Sequence, residues 1–122
     1  MVNNTLNYLY ARAPISTLCF SGSVTTASIY LNGPGGKSGD GFPMPRDGYI
    51  TGLHVWDGSA NHVDEDRIAF GAGDRLSIYC QSTGSDFTVR VRINGSSSGM
   101  EVASVPFNTS LFATIELMLM RA

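Results

Sequence analysis

Charge is scarce in this chain of 122 residues, because Asp, Glu, Lys and Arg together make up only 15% of it. In an average globular domain about a quarter of the residues are charged. Hydrophobic residues account for 43%, which is enough for one core in a chain too short for two. Few charges leave fewer groups to keep the surface wet, so the composition favours an assembled protein. The net charge of −2 gives no sign of a nucleic-acid-binding surface.

Membrane and export signals are lacking too. No apolar run approaches the roughly 18 residues of a membrane helix. Residues 1–5 show no basic region followed by an apolar core, so the sequence predicts no signal peptide and synthesis in a cytosol. Cysteine is rare, and Cys19 and Cys80 are too few for a disulfide framework. In a cytosol they are expected to be two separate buried thiols, with a bridge between them as the alternative.

Catalytic motifs are missing as well. No Gly-x-Ser-x-Gly elbow occurs, and Asp64 and Asp66 lie in a polar segment with nothing apolar to raise a pKa. Residues 36–38, Gly-Lys-Ser, look like the end of a phosphate-binding loop. Leu31 occupies the position of that motif's first glycine, however, and no helix is predicted to follow. We therefore predict that the protein is not an enzyme and holds no cofactor.

The most charged stretch is residues 57–67, which contain four acidic side chains, one arginine and His62. Clustered carboxylates suit a hard cation such as calcium, but their spacing fits no calcium loop that we can name. The stretch therefore predicts a solvated loop without a metal, with a cation site as the alternative. His54 is expected to be a partly buried ring on a strand, and His62 an exposed one.

Strand signals recur along the chain, with turn signals about every 8–12 residues between them. Residues 87–93 alternate most cleanly between apolar and polar side chains. The Asn-Gly pair at 94–95 is a hairpin signal, although the serines that follow predict a connection longer than two residues. Residues 32–41, rich in glycine, predict a loop. Further strands are predicted over residues 15–20, 24–31, 49–56, 75–81, 100–105 and 110–121.

About eight strands without helical periodicity predict an all-β fold, an antiparallel sandwich of the jelly-roll type. An immunoglobulin-like sandwich is the alternative, because Trp56 lies between Cys19 and Cys80 in the order found in that fold. We expect residues 23–122 to form the domain and residues 1–22 to form an N-terminal arm or an edge strand.

The last predicted strand, residues 110–121, is mainly apolar on both faces. A strand of this kind is covered on both sides. One small domain covers one face, so we expect another copy of the chain to cover the second. Glu116 lies on that second face and needs a partner if it is buried, for which an arginine is expected. The predicted subunit contact consists of Phe112, Glu116, Met118 and Met120.

Contacts with another partner are predicted elsewhere. Arg90 and Arg92 share one face of a strand, where they are either solvated or paired with an acidic surface of the partner. The N-terminal residues alternate as in a strand, and they form either a first strand or an arm that becomes ordered only against a neighbour. The glycine-rich loop is a candidate contact loop. The predicted partner-contact residues are Leu6, Tyr8, Tyr10, Lys37, Arg90 and Arg92.

Aromatic side chains offer a different hypothesis, in which they line a sugar-binding platform as in lectins. Such side chains also pack at protein interfaces, and the sequence alone leaves both interpretations open. The candidates are Tyr8, Tyr10, Tyr30, Trp56 and Tyr79.

Three phrases of the sequence resemble a known family. They are residues 42–53 (Phe-Pro-Met-Pro-Arg-Asp-Gly-Tyr-Ile-Thr-Gly-Leu), 70–78 (Phe-Gly-Ala-Gly-Asp-Arg-Leu-Ser-Ile) and 89–95 (Val-Arg-Val-Arg-Ile-Asn-Gly). Together they resemble the small jelly-roll domains of tailed-phage virions, which include head decoration (cement) proteins and fibre tips with a tumour-necrosis-factor-like trimeric build. The resemblance extends over residues 42–120.

The resemblance implies a virion structural protein without an active site. It implies a homotrimer that is made in the host cytoplasm, binds the major capsid protein or another virion protein, and stabilises the head shell. It implies neither a nucleic-acid nor a membrane partner. A carbohydrate- or receptor-binding fibre module is the alternative that it leaves open.

Overall fold

The computed structural model describes residues 15–33 and 39–120 of the chain. This part contains nine strands and no helix, so it is all-β, as the sequence predicts. The strands are β1 (Ile15–Val24), β2 (Ile29–Tyr30), β3 (Phe42–Pro43), β4 (Gly48–Trp56), β5 (Asn61–Phe70), β6 (Arg75–Ser82), β7 (Phe87–Ile93), β8 (Ser96–Val105) and β9 (Thr109–Leu119).

The strands form two antiparallel sheets, an arrangement consistent with a β-sandwich. Sheet A has the order β1-β9-β4-β5, and sheet B has the order β2-β6-β7-β8 with β3 also paired to β6. The first and last of these strands are neighbours, paired from Ile15 opposite Met118 to Val24 opposite Thr109. β4 and β9 lie in the interior of sheet A, so both edges of each strand pair with a neighbouring strand.

The strand order does not show the predicted jelly roll. A jelly roll is built from Greek keys, in which a fourth strand returns beside the first of three hairpin-connected strands. Here β4 and β5 form a hairpin within sheet A, while β6, β7 and β8 follow one another within sheet B. The short connections 71–74 and 106–108 carry the chain from one sheet to the other, from β5 to β6 and from β8 to β9.

The turn between β7 and β8 corrects a second expectation. Asn94 and Gly95 have positive φ angles of 53° and 80°, and Ile93 pairs directly with Ser96. Two central residues with positive φ match the right-handed twist of the flanking strands. The connection therefore has two residues, and the serines that suggested a longer loop belong to β8.

The prediction of a loop over residues 57–67 is wrong for most of that stretch. β5 begins at Asn61 and pairs with β4, so the charged residues lie on an edge strand. The carboxylate of Asp57 fixes the turn before it, accepting hydrogen bonds from the backbone N–H groups of Ser59 and Ala60, both at 2.8 Å. A polar edge strand lacks the apolar alternation that reveals a strand in sequence. Its pairing with β4 therefore decides its conformation.

The core lies between the sheets, and β9 occupies its centre. The alternating exposure of β9 confirms that one face of the predicted strand is inward, because the side chains of that face are at most 4% exposed. Phe87 packs edge to face against Phe107, with ring centroids 4.8 Å apart. Trp56 lies outside the core, 44% exposed, so it does not take the buried position of the immunoglobulin-like alternative. The inward residues of β9 are Leu111, Ala113, Ile115 and Leu117.

β1 crosses the predicted boundary between residues 22 and 23, and it forms one edge of sheet A. Leu6, Tyr8 and Tyr10 lie outside the described residues, and so does Lys37. The partner contacts predicted for these four residues therefore remain predictions from the sequence.

Candidate interaction surfaces

The outer face of sheet A carries most of the exposed large apolar side chains of the described chain. Trp56 on β4 and Phe112 on β9 are register partners, and they are 44% and 59% exposed. Val63 on β5 is 44% exposed on the same side, and Met118 on β9 is half-buried. We call these four residues the apolar face. Three of the five exposed large hydrophobic residues of the described chain belong to it, although Thr114 and Glu116 separate Phe112 from Met118 along β9.

The four predicted subunit-contact residues all lie on or beside this face. Phe112, Glu116 and Met118 point out of β9 away from the core. Met120 directly follows β9, is 46% exposed, and donates its backbone N–H to the carbonyl of Asp47 at 2.8 Å. Whether a second copy covers these residues stays a prediction.

Glu116 has a partner other than the arginine that the sequence suggested. The hydroxyl of Thr51 donates to Glu116 Oε1 at 2.7 Å. Thr51 lies at the register shift between Ile50 and Gly52, where a β-bulge interrupts the pairing of β4. Bulges re-aim side chains in this way. The half-buried carboxylate is thus satisfied within the chain, which removes one obstacle to covering the apolar face.

Trp56 and Val63 belong to the apolar face but were not among the predicted contact residues. For Trp56 a signal was present, because alternation along residues 49–56 places it opposite Leu53 and Val55, which are inward and fully buried. For Val63 no signal existed, because its segment reads as a polar loop.

The outer face of sheet B is organised around Arg92. Its guanidinium carbon lies 4.1 Å from the ring centroid of Tyr79 and 5.7 Å from that of Tyr30. The two tyrosine rings are 4.7 Å apart, and Arg92 Nη1 donates to the hydroxyl of Tyr30 at 2.9 Å. A second bond at 3.3 Å runs to the carbonyl of Gly95. The cation is thus held by cation–π and hydrogen-bond contacts from its own chain.

Arg90, two residues earlier on the same face, is paired as well. Its Nη1 donates to Glu101 Oε1 at 2.7 Å across the register of β7 and β8. The Nε atoms of Arg90 and Arg92 are buried and have no hydrogen-bond partner within the described chain. Both predicted contact arginines therefore share one face, but much of their hydrogen-bonding capacity is used inside the molecule.

The aromatic residues proposed for a sugar platform do not all meet. Tyr30 and Tyr79 stack together on sheet B, whereas Trp56 lies on the outer face of the other sheet. Tyr8 and Tyr10 lie outside the described residues. The structure instead pairs Trp56 with Phe112, a combination that the sequence did not suggest.

Asp57 is the most strongly perturbed acid of the charged stretch. It is 6% exposed, and its Oδ2 lies 2.8 Å from His62 Nε2. The contact with His62 and the bonds from the turn amides hold the pKa of Asp57 well below its usual range. Asp64 accepts a bond from the backbone N–H of Glu101 at 3.1 Å. Within residues 15–33 and 39–120, no group of three or more His, Cys, Asp or Glu side chains could hold a metal ion.

The two cysteines are free thiols in different surroundings. Cys80 is buried in the core, and burial raises the pKa of its thiol to about 12. Cys19 is exposed, which corrects the expectation of two buried thiols. Its register partner is Thr114, an outward residue of β9, so the pairing of β1 with β9 places the thiol on the outer face.

Comparisons with models of protein families, with curated proteins and with solved structures found no match to this chain. The part of the chain that the structure describes contains no helix long and apolar enough to cross a membrane. Inferences about function therefore start from the surfaces of the molecule and from the resemblance of its sequence phrases.

Proposed function

We propose that this chain is a virion structural protein, a capsid decoration (cement) protein that forms homotrimers and binds and stabilises the head shell. The observation that carries the assembly is the apolar face of sheet A. A sheet face that carries most of the exposed large apolar side chains of the described chain is a candidate protein interface. Closed threefold symmetry buries one such patch on each subunit against its neighbours. The location in the virion comes from the family resemblance of residues 42–120.

In this proposal the shell contact uses the opposite side of the molecule. If subunits meet through sheet A, the outer face of sheet B remains available to the major capsid protein or another virion protein. Arg90 and Arg92 on that face give it a basic character suited to an acidic surface. The resemblance implies a trimeric jelly roll. The pairing of β1 with β9 is compatible with that fold, whereas the β4–β5 hairpin departs from it.

The proposal is tested by measuring the oligomeric state and by locating the protein on particles. Sedimentation equilibrium of the full chain at micromolar concentration is expected to give the mass of a trimer. Antibody-labelled electron microscopy is expected to place the protein over the head, with particles assembled without it as the control. A stable monomer would remove the trimer, and label confined to the tail or fibres would remove the decoration role.

A carbohydrate- or receptor-binding module is the second candidate, and one observation favours it. Trp56 and Phe112 are adjacent, exposed and aromatic, which is how a flat sugar-stacking platform is built. This function predicts specific glycans on an array and their loss in Trp56→Ala. Ile29→Ala, also at an exposed apolar residue but on the other sheet, is the matched control. Absence of glycan binding by the unaltered chain would rule the candidate out.

A further inference from the structure

The outer face of sheet A carries two carboxylates in one row across the sheet. Gly52 on β4 is the register partner of Glu116 on β9 and of Glu65 on β5. Residues paired in this way point to the same face of a sheet. Glu116 is half-buried and points outward, so Glu65, which is exposed, lies on the outer face with it. The two carboxylates therefore flank a glycine in the middle of this face.

His54 lies above that glycine. It follows Gly52 by two residues on β4, so it shares the outer face, and it is half-buried. A Cβ atom at Gly52 would lie 3.4 Å from His54 Nε2 and 3.7 Å from the Cβ atom of Glu116. Because Gly52 has no side chain, the edge of the imidazole lies against the backbone of β4, beside Glu116.

The charged groups next to His54 on the two adjacent strands are both negative. His54 lies directly opposite Thr114 on β9 and Val63 on β5. Its diagonal neighbours on those strands include Glu116 and Glu65, which are two residues further along, within reach of long side chains. The imidazole is thus placed between two carboxylates by the strand register.

Two more charged groups follow on β5, at the register shift opposite Thr51. Arg67 is directed to the other end of the face, where its guanidinium carbon lies 4.6 Å from the ring centroid of Tyr49. Asp66 accepts the backbone N–H of Arg67 at 2.7 Å through its Oδ1. The cation of this face is therefore stacked on a tyrosine, whereas the centre of the face holds the carboxylates and the imidazole.

Covering this face with another subunit would remove water from the carboxylates, which is costly for an uncompensated charge. The hydroxyl of Thr51 donates to Glu116 Oε1 at 2.7 Å, but a neutral donor leaves the charge in place. A cation between the carboxylates would offset it. Histidine is the side chain that commonly gains a proton between pH 8 and pH 5, where carboxylates are still ionised.

We propose that mild acid strengthens the subunit contact of sheet A, because a proton on His54 offsets the charges of Glu116 and Glu65. This inference rests on the oligomer of the proposed function and specifies how its assembly is regulated. The carboxylates hold the imidazolium more strongly once water is excluded, so the assembled state binds the proton more readily than the free subunit. By linkage, association therefore increases as pH falls through the range in which His54 gains its proton.

Sedimentation equilibrium of the full chain at pH 7.5, 6.5 and 5.5, at constant ionic strength, measures this effect. We expect the dissociation constant to fall about tenfold between pH 7.5 and pH 5.5, the change that one added charge pair supplies. Circular dichroism at each pH checks that the fold is unchanged. A dissociation constant that stays the same or rises in acid would overturn the proposal.

The two histidines of the chain provide a matched pair of variants. His54→Gln retains a polar side chain but takes up no proton, so its association is expected to be independent of pH over this range. His62→Gln is the control, because His62 Nε2 is held 2.8 Å from Asp57 Oδ2 within its own chain. It is expected to keep the tenfold change. Any other combination of results from the two folded variants would overturn the proposal.

Removing the carboxylates gives an independent test. Glu65→Gln/Glu116→Gln is expected to associate more tightly than the unaltered chain at pH 7.5 and to gain nothing in acid. If this variant still tightens about tenfold at pH 5.5, the proton binds elsewhere and the proposal fails. A trimer whose association is independent of pH overturns this inference and leaves the proposed function standing, whereas a monomer at all three pH values ends both.

Discussion

The outer faces of the two sheets differ in whether their side chains find contact partners within the same chain. On sheet B, Arg92 stacks on two tyrosines and Arg90 pairs with Glu101, so both cations of this face have partners within one chain, although the Nε atom of each has none. On sheet A, Trp56 and Phe112 remain exposed next to each other. Burying a fully exposed large apolar side chain is worth about 1.5–3 kcal/mol, and because Trp56 and Phe112 are 44% and 59% exposed, about half of that remains to be gained at each. A face whose charged groups are paired within the chain is stable in water. Covering an exposed apolar face with a partner lowers the free energy, because apolar surface is removed from water.

The largest expected effect comes from placing a charge on the apolar face. Met118→Glu would put a second carboxylate two residues from Glu116, in the contact that we propose between subunits. We expect the dissociation constant of the oligomer to rise at least about 100-fold, or about 2.7 kcal/mol, with the β-rich circular dichroism unchanged. Sedimentation equilibrium measures the change.

Ile29→Glu is the control for that substitution, because Ile29 is 45% exposed but lies on β2 of the other sheet. It should leave the association unchanged. If Met118→Glu also leaves the oligomer intact, the apolar face is not a subunit contact. The difference between the two sheet faces would then say nothing about how subunits associate.

A second prediction concerns the turn that supports the apolar face next to Trp56. Because the folded-state pKa of Asp57 is depressed, its stabilising contribution is present above the unfolded pKa, about 3.9, and is lost as pH falls towards the folded value. Asp57→Asn is therefore expected to lower the melting temperature at pH 7 and to flatten its decline in acid.

Calorimetry between pH 7 and about pH 1.5 measures both effects, because the contribution is lost below the unfolded pKa. Asp40→Asn, at an exposed residue, is the matched control and should reproduce the curve of the unaltered chain. Identical acid profiles for Asp57→Asn and the unaltered chain would contradict the role of this carboxylate in holding the β4–β5 hairpin.

The smallest changes in stability are expected for substitutions on sheet B. They test how much the contacts of Arg90 and Arg92 within the chain contribute. Arg92→Ala removes the stack on Tyr79 and the bond to Tyr30, which should cost about 1–2 kcal/mol of unfolding free energy in chemical denaturation. Arg92→Lys retains the charge but not the planar stack, and should recover only part of it. Arg90→Ala breaks a partly exposed ion pair and should cost under about 1 kcal/mol. Equal losses at both arginines would contradict the central role of Arg92.

The sequence predicted a strand correctly where its apolar and polar residues alternate in step with its buried and outward faces. The clean alternation of residues 87–93 became β7, and the two faces of residues 110–121 became the inward and outward faces of β9. It was wrong where pairing overrules composition. The charged residues 61–67 join β5 because the Asp57 turn folds them onto β4, and a polar edge strand carries no apolar signal of its own.

The sequence by itself determined that this is an all-β chain, which residues of β9 face inward, and that Asn94-Gly95 is a turn. These properties depend on neighbours in the chain and on a period of two. Only the tertiary structure decided that Trp56 lies opposite Phe112 in the strand register, that Thr51 donates a hydrogen bond to Glu116, and that Arg92 is held by two tyrosines. Each of these contacts joins residues far apart in the chain, so strand order and register, not local composition, bring them together.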